Sequence, residues 1–195
     1  MKRNLELERK TKETQIRIRL NLDGSGQSEV TTGIGFFDHM LTLLAVQAVF
    51  DLSLTAVGDI QVDLHHTVED VGLVFGDAIS KALGQRKGIC RYGDAFVPMD
   101  DALAHVAIDL SNRPYLVYRL PESLPRQNDF DASLAKEFFR ALAQKGGMNL
   151  HIHVAYGDNW HHMIEAVFKA CGRALRLAAA TDGRVQGIPS SKGVL

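Results

Sequence analysis

The chain has 195 residues, 46% of them hydrophobic and 23% charged, the make-up of a globular protein long enough for a sizeable core in one domain or two small tandem halves. A formal net charge of −1 leaves no global field to draw it to nucleic acid or a membrane, and Arg173, Arg176, Arg184 and Lys192 are too sparse for a nucleic-acid stripe. No run approaches the ~18 apolar residues of a membrane span, Met1-Lys2-Arg3-Asn4-Leu5-Glu6 carries no apolar signal core, and the two cysteines, Cys90 and Cys171, read as reduced thiols, so a cytoplasmic location is expected.

Thr14, Ile16, Ile18, Leu20 and Leu22 alternate onto one face of a strand. Asp23-Gly24-Ser25-Gly26 turns the chain, and a short strand over 27–32 is expected to pair back as a hairpin. From Phe36 the pattern is helical through Phe37, Met40, Leu41, Leu44 and Val49. Leu52, Leu54 and Ala56 alternate again, ending at Gly58-Asp59, and a second helix is expected over 63–83. The second half repeats this order. Val106, Ile108 and Leu110 match Ile18, Leu20 and Leu22; a helix over 133–144 matches the one from Phe36; Leu150, Ile152 and Val154 match Leu52, Leu54 and Ala56. The offset between copies grows from 88 residues (Leu22 to Leu110) to 96 (His65 to His161), which places an insertion in the Pro-bearing stretch from Arg119 to Asn128. The expected fold is therefore α+β, two tandem pseudo-repeats over 1–92 and 93–181, each a mainly antiparallel sheet packed with two helices. A Gly- and Ser-rich tail over 182–195 is either disordered or ordered by a ligand.

The chemistry lies in a motif that occurs twice, His65-His66-Thr67-Val68-Glu69 and His161-His162-Met163-Ile164-Glu165. Each copy follows a Gly-Asp pair, Gly58-Asp59 and Gly157-Asp158, and each has a glycine seven residues after its Glu, Gly76 and Gly172. On a helix, residues i and i+4 share a face, so His65 with Glu69, and His161 with Glu165, could each grip one cation. His66 and His162 point roughly 100° away, free for a second cation. A lone His-His pair is ordinarily a surface feature, but two copies with the same spacing argue for two related metal sites. Register adds two more ligands, because His39 falls at the position of Glu137. One site would use His65, Glu69, Glu137 and His162, the other His161, Glu165, His39 and His66. Imidazole and carboxylate without thiolate suit Mn, Fe, Zn or Co. His105, His151 and His153 lie in alternating strands and read as structural or surface residues.

Taken together, these residues resemble the imidazoleglycerol-phosphate dehydratase family of histidine biosynthesis, from about Arg9 to Leu195. The matching stretches are Arg9-Lys10-Thr11-Lys12-Glu13-Thr14, Phe37-Asp38-His39-Met40-Leu41, His65-His66-Thr67-Val68-Glu69-Asp70, Asp109-Leu110-Ser111-Asn112-Arg113-Pro114, His161-His162-Met163-Ile164-Glu165-Ala166 and Ser190-Ser191-Lys192-Gly193-Val194-Leu195. The resemblance implies a duplicated ribosomal-protein-like α+β fold, two Mn ions per active site, and a homo-oligomeric cage of about 24 subunits with sites where subunits meet. It implies metal ligation by His39, His65, His66, Glu69, His161, His162 and Glu165, with Glu137 standing where relatives often have His. Gln47 likewise replaces a His of many relatives, which touches substrate contacts of that helix and not the metal sites.

The implied substrate is imidazole glycerol phosphate, and the implied product is imidazole acetol phosphate. No carbonyl acidifies the proton to be lost, but a ring held as an imidazolate bridging two Mn ions could expel the neighbouring hydroxyl and then lose that proton. The resemblance puts Glu13 in the substrate site as the base, with Glu165 or a metal-bound hydroxide as alternatives and a plain strand-edge Glu as the structural reading. Arg91, Arg113, Ser190, Ser191 and Lys192 are the phosphate candidates, the tail ordering over the phosphate. Two rivals stand beside this reading. A di-metal hydrolase would release inorganic phosphate, and a non-catalytic metal-binding cage would have no use for Lys192.

Overall fold

The computed structural model describes residues 3–121 and 130–195. The first half runs β1 (Asn4–Lys10), β2 (Thr14–Asn21), β3 (Ser28–Thr31), α1 (Gly35–Ala48), β4 (Asp51–Gly58) and α2 (His65–Leu83). The second runs β5 (Tyr92–Met99), β6 (Ala102–Asp109), β7 (Tyr115–Arg119), α3 (Ala132–Gly146), β8 (Asn149–Tyr156) and α4 (Trp160–Ala179). Each half forms one four-stranded sheet, in the orders β1-β2-β4-β3 and β5-β6-β8-β7. The duplication holds to the level of register: Ile18 faces Leu54 and Leu20 faces Leu52, as Val106 faces Ile152 and Ile108 faces Leu150.

Two expectations are corrected. Each half opens with three strands, not two, because β1 and β5 precede the strands that the alternation revealed. The short strand β3 also makes no hairpin with β2; it lies parallel to β4, Val30 opposite Leu54. Asp51 explains the route. Its carboxylate, at the start of β4, accepts from the backbone N–H groups of Ser25 (2.8 Å) and Gln27 (3.2 Å), so the turn is tied to β4 and carries the chain past β2.

The insertion is also located. Ser28 pairs with Leu52 as Leu116 pairs with Leu150, so the extra residues enter after β7 and before α3. Of the stretch 119–128 expected to hold them, residues 122–128 lie outside the described residues. Through the following helix and strand the offset is 98, as in Leu54 to Ile152, and it carries His39 onto Glu137; it falls back to 96 at the His-His motifs.

The helices lie between the two sheets and pair across the halves, α1 on α4 and α2 on α3. All the apolar inner faces merge into one core, in which the Phe138 ring lies 5.3 Å from that of Phe37 and 5.4 Å from that of Phe168. The repeated glycines are where helix backbones meet. A Cβ on Gly76 would lie 2.5 Å from the carbonyl oxygen of Leu142, and one on Gly172 would lie 2.4 Å from that of Leu44, its counterpart in the repeat. Buried Arg86 ties the ends of α2 and α3, donating to Ser80 Oγ and to the carbonyl oxygens of Gly146 and Gly147.

The helices α1 and α3 stop alike, on a left-handed residue: Val49 (φ 57°) and Gly147 (φ 59°). A Cβ on Gly147 would also lie 2.7 Å from Asn112 Oδ1 and 2.8 Å from Arg86 Nη2. Gly147→Val is therefore expected to lower stability by roughly 2 kcal/mol or more in urea denaturation. Val49→Gly is expected to change it by no more than about 0.5 kcal/mol, since relief of backbone strain is offset by the freer unfolded chain.

Candidate functional site

Both His-His motifs fall on helix N-terminal turns. Asn159 starts α4 by accepting from the backbone N–H of His161, and Asp63 accepts from that of His65. On α4, His161 Nε2 stands 3.0 Å from Glu165 Oε2. From the paired helix α1, His39 Nε2 reaches the same oxygen at 3.5 Å. The ligand atoms of His39, His161 and Glu165 all lie within 4.8 Å of one another. Phe36 closes one side, edge-on to His161 at 5.3 Å. Glu165 is buried, with its other oxygen 2.6 Å from Lys169 Nζ. Burial pushes its carboxyl up, but the hydrogen bonds from Lys169 and His161 more than offset that, holding it below the usual range and therefore anionic at neutral pH.

The second cluster repeats the first. His65 Nε2 lies 3.6 Å from Glu69 Oε2, and α3 delivers Glu137 where α1 delivers His39. One difference separates them. Arg140 sits between the carboxylates, 2.6 Å from both Glu69 Oε1 and Glu137 Oε2. Among the described residues only the first cluster brings three ligand atoms within 4.8 Å.

The remaining two histidines turn elsewhere. His66 Nδ1 meets the carboxylate of Asp59 at 3.1 and 3.2 Å, and His162 Nδ1 meets Asp101 at 2.5 Å. In each case the hydrogen bond to the carboxylate is the main cause that raises the imidazole above its ordinary pKa. So of the two four-residue sets expected from the sequence, one is gathered as the trio His39, His161 and Glu165, while in the other Arg140 stands between Glu69 and Glu137; His162 and His66 bond to Asp101 and Asp59 instead.

Glu13 sits in the turn between β1 and β2, where its carbonyl accepts from the N–H of Asp59 at 3.1 Å. Its carboxylate accepts no hydrogen bond among the described residues, though its charge contributes to the raised pKa of His66. The phosphate candidates lie at the opposite, C-terminal ends of the helices. The tail bonds back to Gly88 there, with Gly88 N–H donating to Gly187 O and Asp182 N–H to Gly88 O. Arg91 holds Asp109 through Nε (2.7 Å) and Nη2 (3.1 Å) and Pro189 O through Nη1 (2.8 Å), which makes it the latch of the tail. Ser190, Ser191 and Lys192 form a turn closed by the Lys192 N–H to Ser190 Oγ and the Gly193 N–H to Ser190 O. Arg113 is exposed and follows Asn112, whose side chain donates to Leu195 O at the end of the tail.

Sequence reasoning missed Asp59 and Asp101 as imidazole partners, and Arg140 and Lys169 as cations beside the carboxylates. Asp59 was signalled by the Gly58-Asp59 pair. Arg140 and Lys169 stand three and four residues after Glu137 and Glu165, the spacing at which helical ion pairs form.

Fold and clusters together define a duplicated α+β enzyme with paired imidazole–carboxylate centres. A crystal structure of imidazoleglycerol-phosphate dehydratase from Pyrococcus furiosus superposes on 97% of the chain and 100% of its own with a TM-score of 0.84 at 36% identity. The Staphylococcus aureus enzyme gives 0.81 at 37% identity, over 92% of this chain and 99% of its own. The sequence model of the imidazoleglycerol-phosphate dehydratase family matches residues 32–175. Relatives of that name are 55% identical in Desulfosudis oleivorans and 53% in Acetivibrio thermocellus, each over 195 residues and the full length of both chains. The chain belongs to the imidazoleglycerol-phosphate dehydratase family, hydro-lyases that act in histidine biosynthesis. That selects dehydration over the hydrolase and the inert cage. No helix among the described residues is long and apolar enough to cross a membrane.

Proposed function

We propose that the dehydration of imidazole glycerol phosphate to imidazole acetol phosphate is metal-dependent, the substrate ring bridging two Mn(II) ions as an imidazolate. The observation that carries this reading is the pair of pseudo-symmetric trios, His39, His161 and Glu165, and His65, Glu69 and Glu137. Imidazole nitrogens with an anionic, largely buried carboxylate are a donor set for a borderline divalent ion. When bound, two such ions supply the positive charge that lets the ring hold the electrons released as the hydroxyl beside it departs. The proton leaves the next carbon for a carboxylate, and the resulting enol tautomerises to the ketone. Glu13 suits that transfer. In the second half, its counterpart in the repeat, Asp101, is engaged by His162 and by the Asp158 and Asn159 N–H groups. In the first half Asp59 takes over the histidine, which leaves the Glu13 carboxylate free.

The phosphate is met by Arg113 and the Ser190-Ser191-Lys192 turn, with Arg91 holding that turn in place. These groups and the trios stand at opposite helix ends, and α4 alone, with 20 residues, is about 30 Å long. No single substrate of this size reaches from one to the other. A site that uses both takes them from different copies, as in a homo-oligomeric cage of about 24 subunits whose sites lie between neighbours. The protein acts in the cytoplasm on this reading.

The test strips the purified protein of metal, reloads it with Mn(II) and follows ketone formation and free phosphate. Mn-dependent product with no phosphate released supports the reading; product that is indifferent to chelation and reloading overturns it. Arg91→Ala, by freeing the tail, is expected to raise KM roughly 10-fold with a smaller change in kcat, as steady-state kinetics would show.

A further inference from the structure

We propose that Asp59 and Asp101 are positioning residues that fix the imidazoles of His66 and His162 so that Nε2 alone is offered to a metal ion held outside the chain's own trios. The inference rests on the proposed role of these histidines as ligands. An ionised carboxylate can only accept, so the hydrogen of each bond belongs to Nδ1. That fixes the tautomer, leaves Nε2 with the lone pair, and makes it a stronger donor. The partners of Nε2 are sparse. His66 Nε2 has no hydrogen bond among the described residues, and His162 Nε2 faces only the exposed carboxylate of Asp100 at 3.5 Å.

The two halves reach this arrangement by different routes. Asp101 comes from the turn between β5 and β6, and its second oxygen also accepts from the N–H groups of Asp158 (2.5 Å) and Asn159 (2.9 Å). It holds the entry to α4 and the histidine with one carboxylate. Its counterpart in the repeat is Glu13, which does not perform this task; Asp59, six residues before the motif, does. Asp59 anchors its own loop through its main chain, with N–H to Glu13 O and carbonyl to Val62 N–H, so its side chain serves the imidazole. A side-chain change at 59 therefore separates positioning from folding, whereas one at 101 affects both.

The test titrates Mn(II) into metal-free, full-length, assembled protein, reading free Mn(II) by electron paramagnetic resonance, with thermal unfolding alongside. Asp59→Ala is expected to weaken the affinity of the affected site by ~10–100-fold without moving the thermal midpoint. Asp59→Asn keeps an oxygen that accepts from Nδ1–H and is expected to fall between parent and Asp59→Ala. Asp101→Ala should show the same loss of affinity together with a lower midpoint. His66→Ala is the control for the underlying reading. If it leaves Mn(II) binding unchanged, His66 is not a ligand and the proposal falls with that reading. If His66→Ala weakens binding and Asp59→Ala does not, the positioning role alone is overturned.

Discussion

Glu165→Gln is expected to reduce turnover by about 10³-fold or more and to lower bound Mn(II) at saturation from two ions to one per chain. The glutamine is nearly isosteric, so the loss isolates the charge. Glu165 is the member of its trio that both histidines touch, and it is anionic despite burial because Lys169 and His161 favour the charged form. Removing the charge takes the anion from between two imidazoles and also leaves the Lys169 ammonium without its carboxylate. The unpaired, partly buried cation adds a stability loss on the order of 1–3 kcal/mol, to be measured separately by denaturation. Metal counting by atomic emission and a turnover assay check the prediction. Two retained ions with unaltered turnover would remove Glu165 from the centre.

A large structural effect is expected at Gly76. A single methyl there meets backbone on two sides, Leu142 O at 2.5 Å and Gly146 N at 2.7 Å. No side-chain rotation relieves either contact, so α2 and α3 must part. Gly76→Ala is expected to cost about 3 kcal/mol or more, against the ~1 kcal/mol gain that the same change brings in an unobstructed helix. Gly172→Ala should behave alike, because its methyl would meet Leu44 O at 2.4 Å. Urea unfolding of each variant is the check, and a change below about 0.5 kcal/mol would mean the helices are not in this contact.

Much of this was legible in the chain. Ile16, Ile18 and Leu20 alternate against Leu52, Leu54 and Ala56 because both strands bury one face, and the second half repeats the pattern with the same partners. The edge strands were not legible, for opposite reasons. In β1, Leu5 and Leu7 are only half-buried at the sheet margin amid charged neighbours, so their alternation is faint. In β5 the inward residues are Gly93, Ala95 and Val97, small because α4 lies so close that a Cβ on Gly93 would sit 2.2 Å from Ala174 O. The partner of β3 was hidden because Asp51, more than twenty residues on, decides it. Glu137 was found because the insertion lies before α3 and leaves the register of His39 intact. Asp101 escaped because it lies 61 residues from His162, in a turn with no motif of its own.

The crossed helix pairs carry a consequence for how such a chain can arise. With α1 resting on α4 and α2 on α3, a half-length protein would cover one face of its helices with its own sheet and have only a second copy of itself to cover the other. It would exist as a symmetric dimer, and symmetry would oblige its two centres to be chemically identical. Joining the copies into one chain lifts that obligation, and positions 39 and 137 show it lifted: imidazole in one centre, carboxylate beside a guanidinium in the other. On the proposed metal-dependent reading, the fused protein is thus free to hold its two cations with unlike strength, so that one can stay resident while the other exchanges.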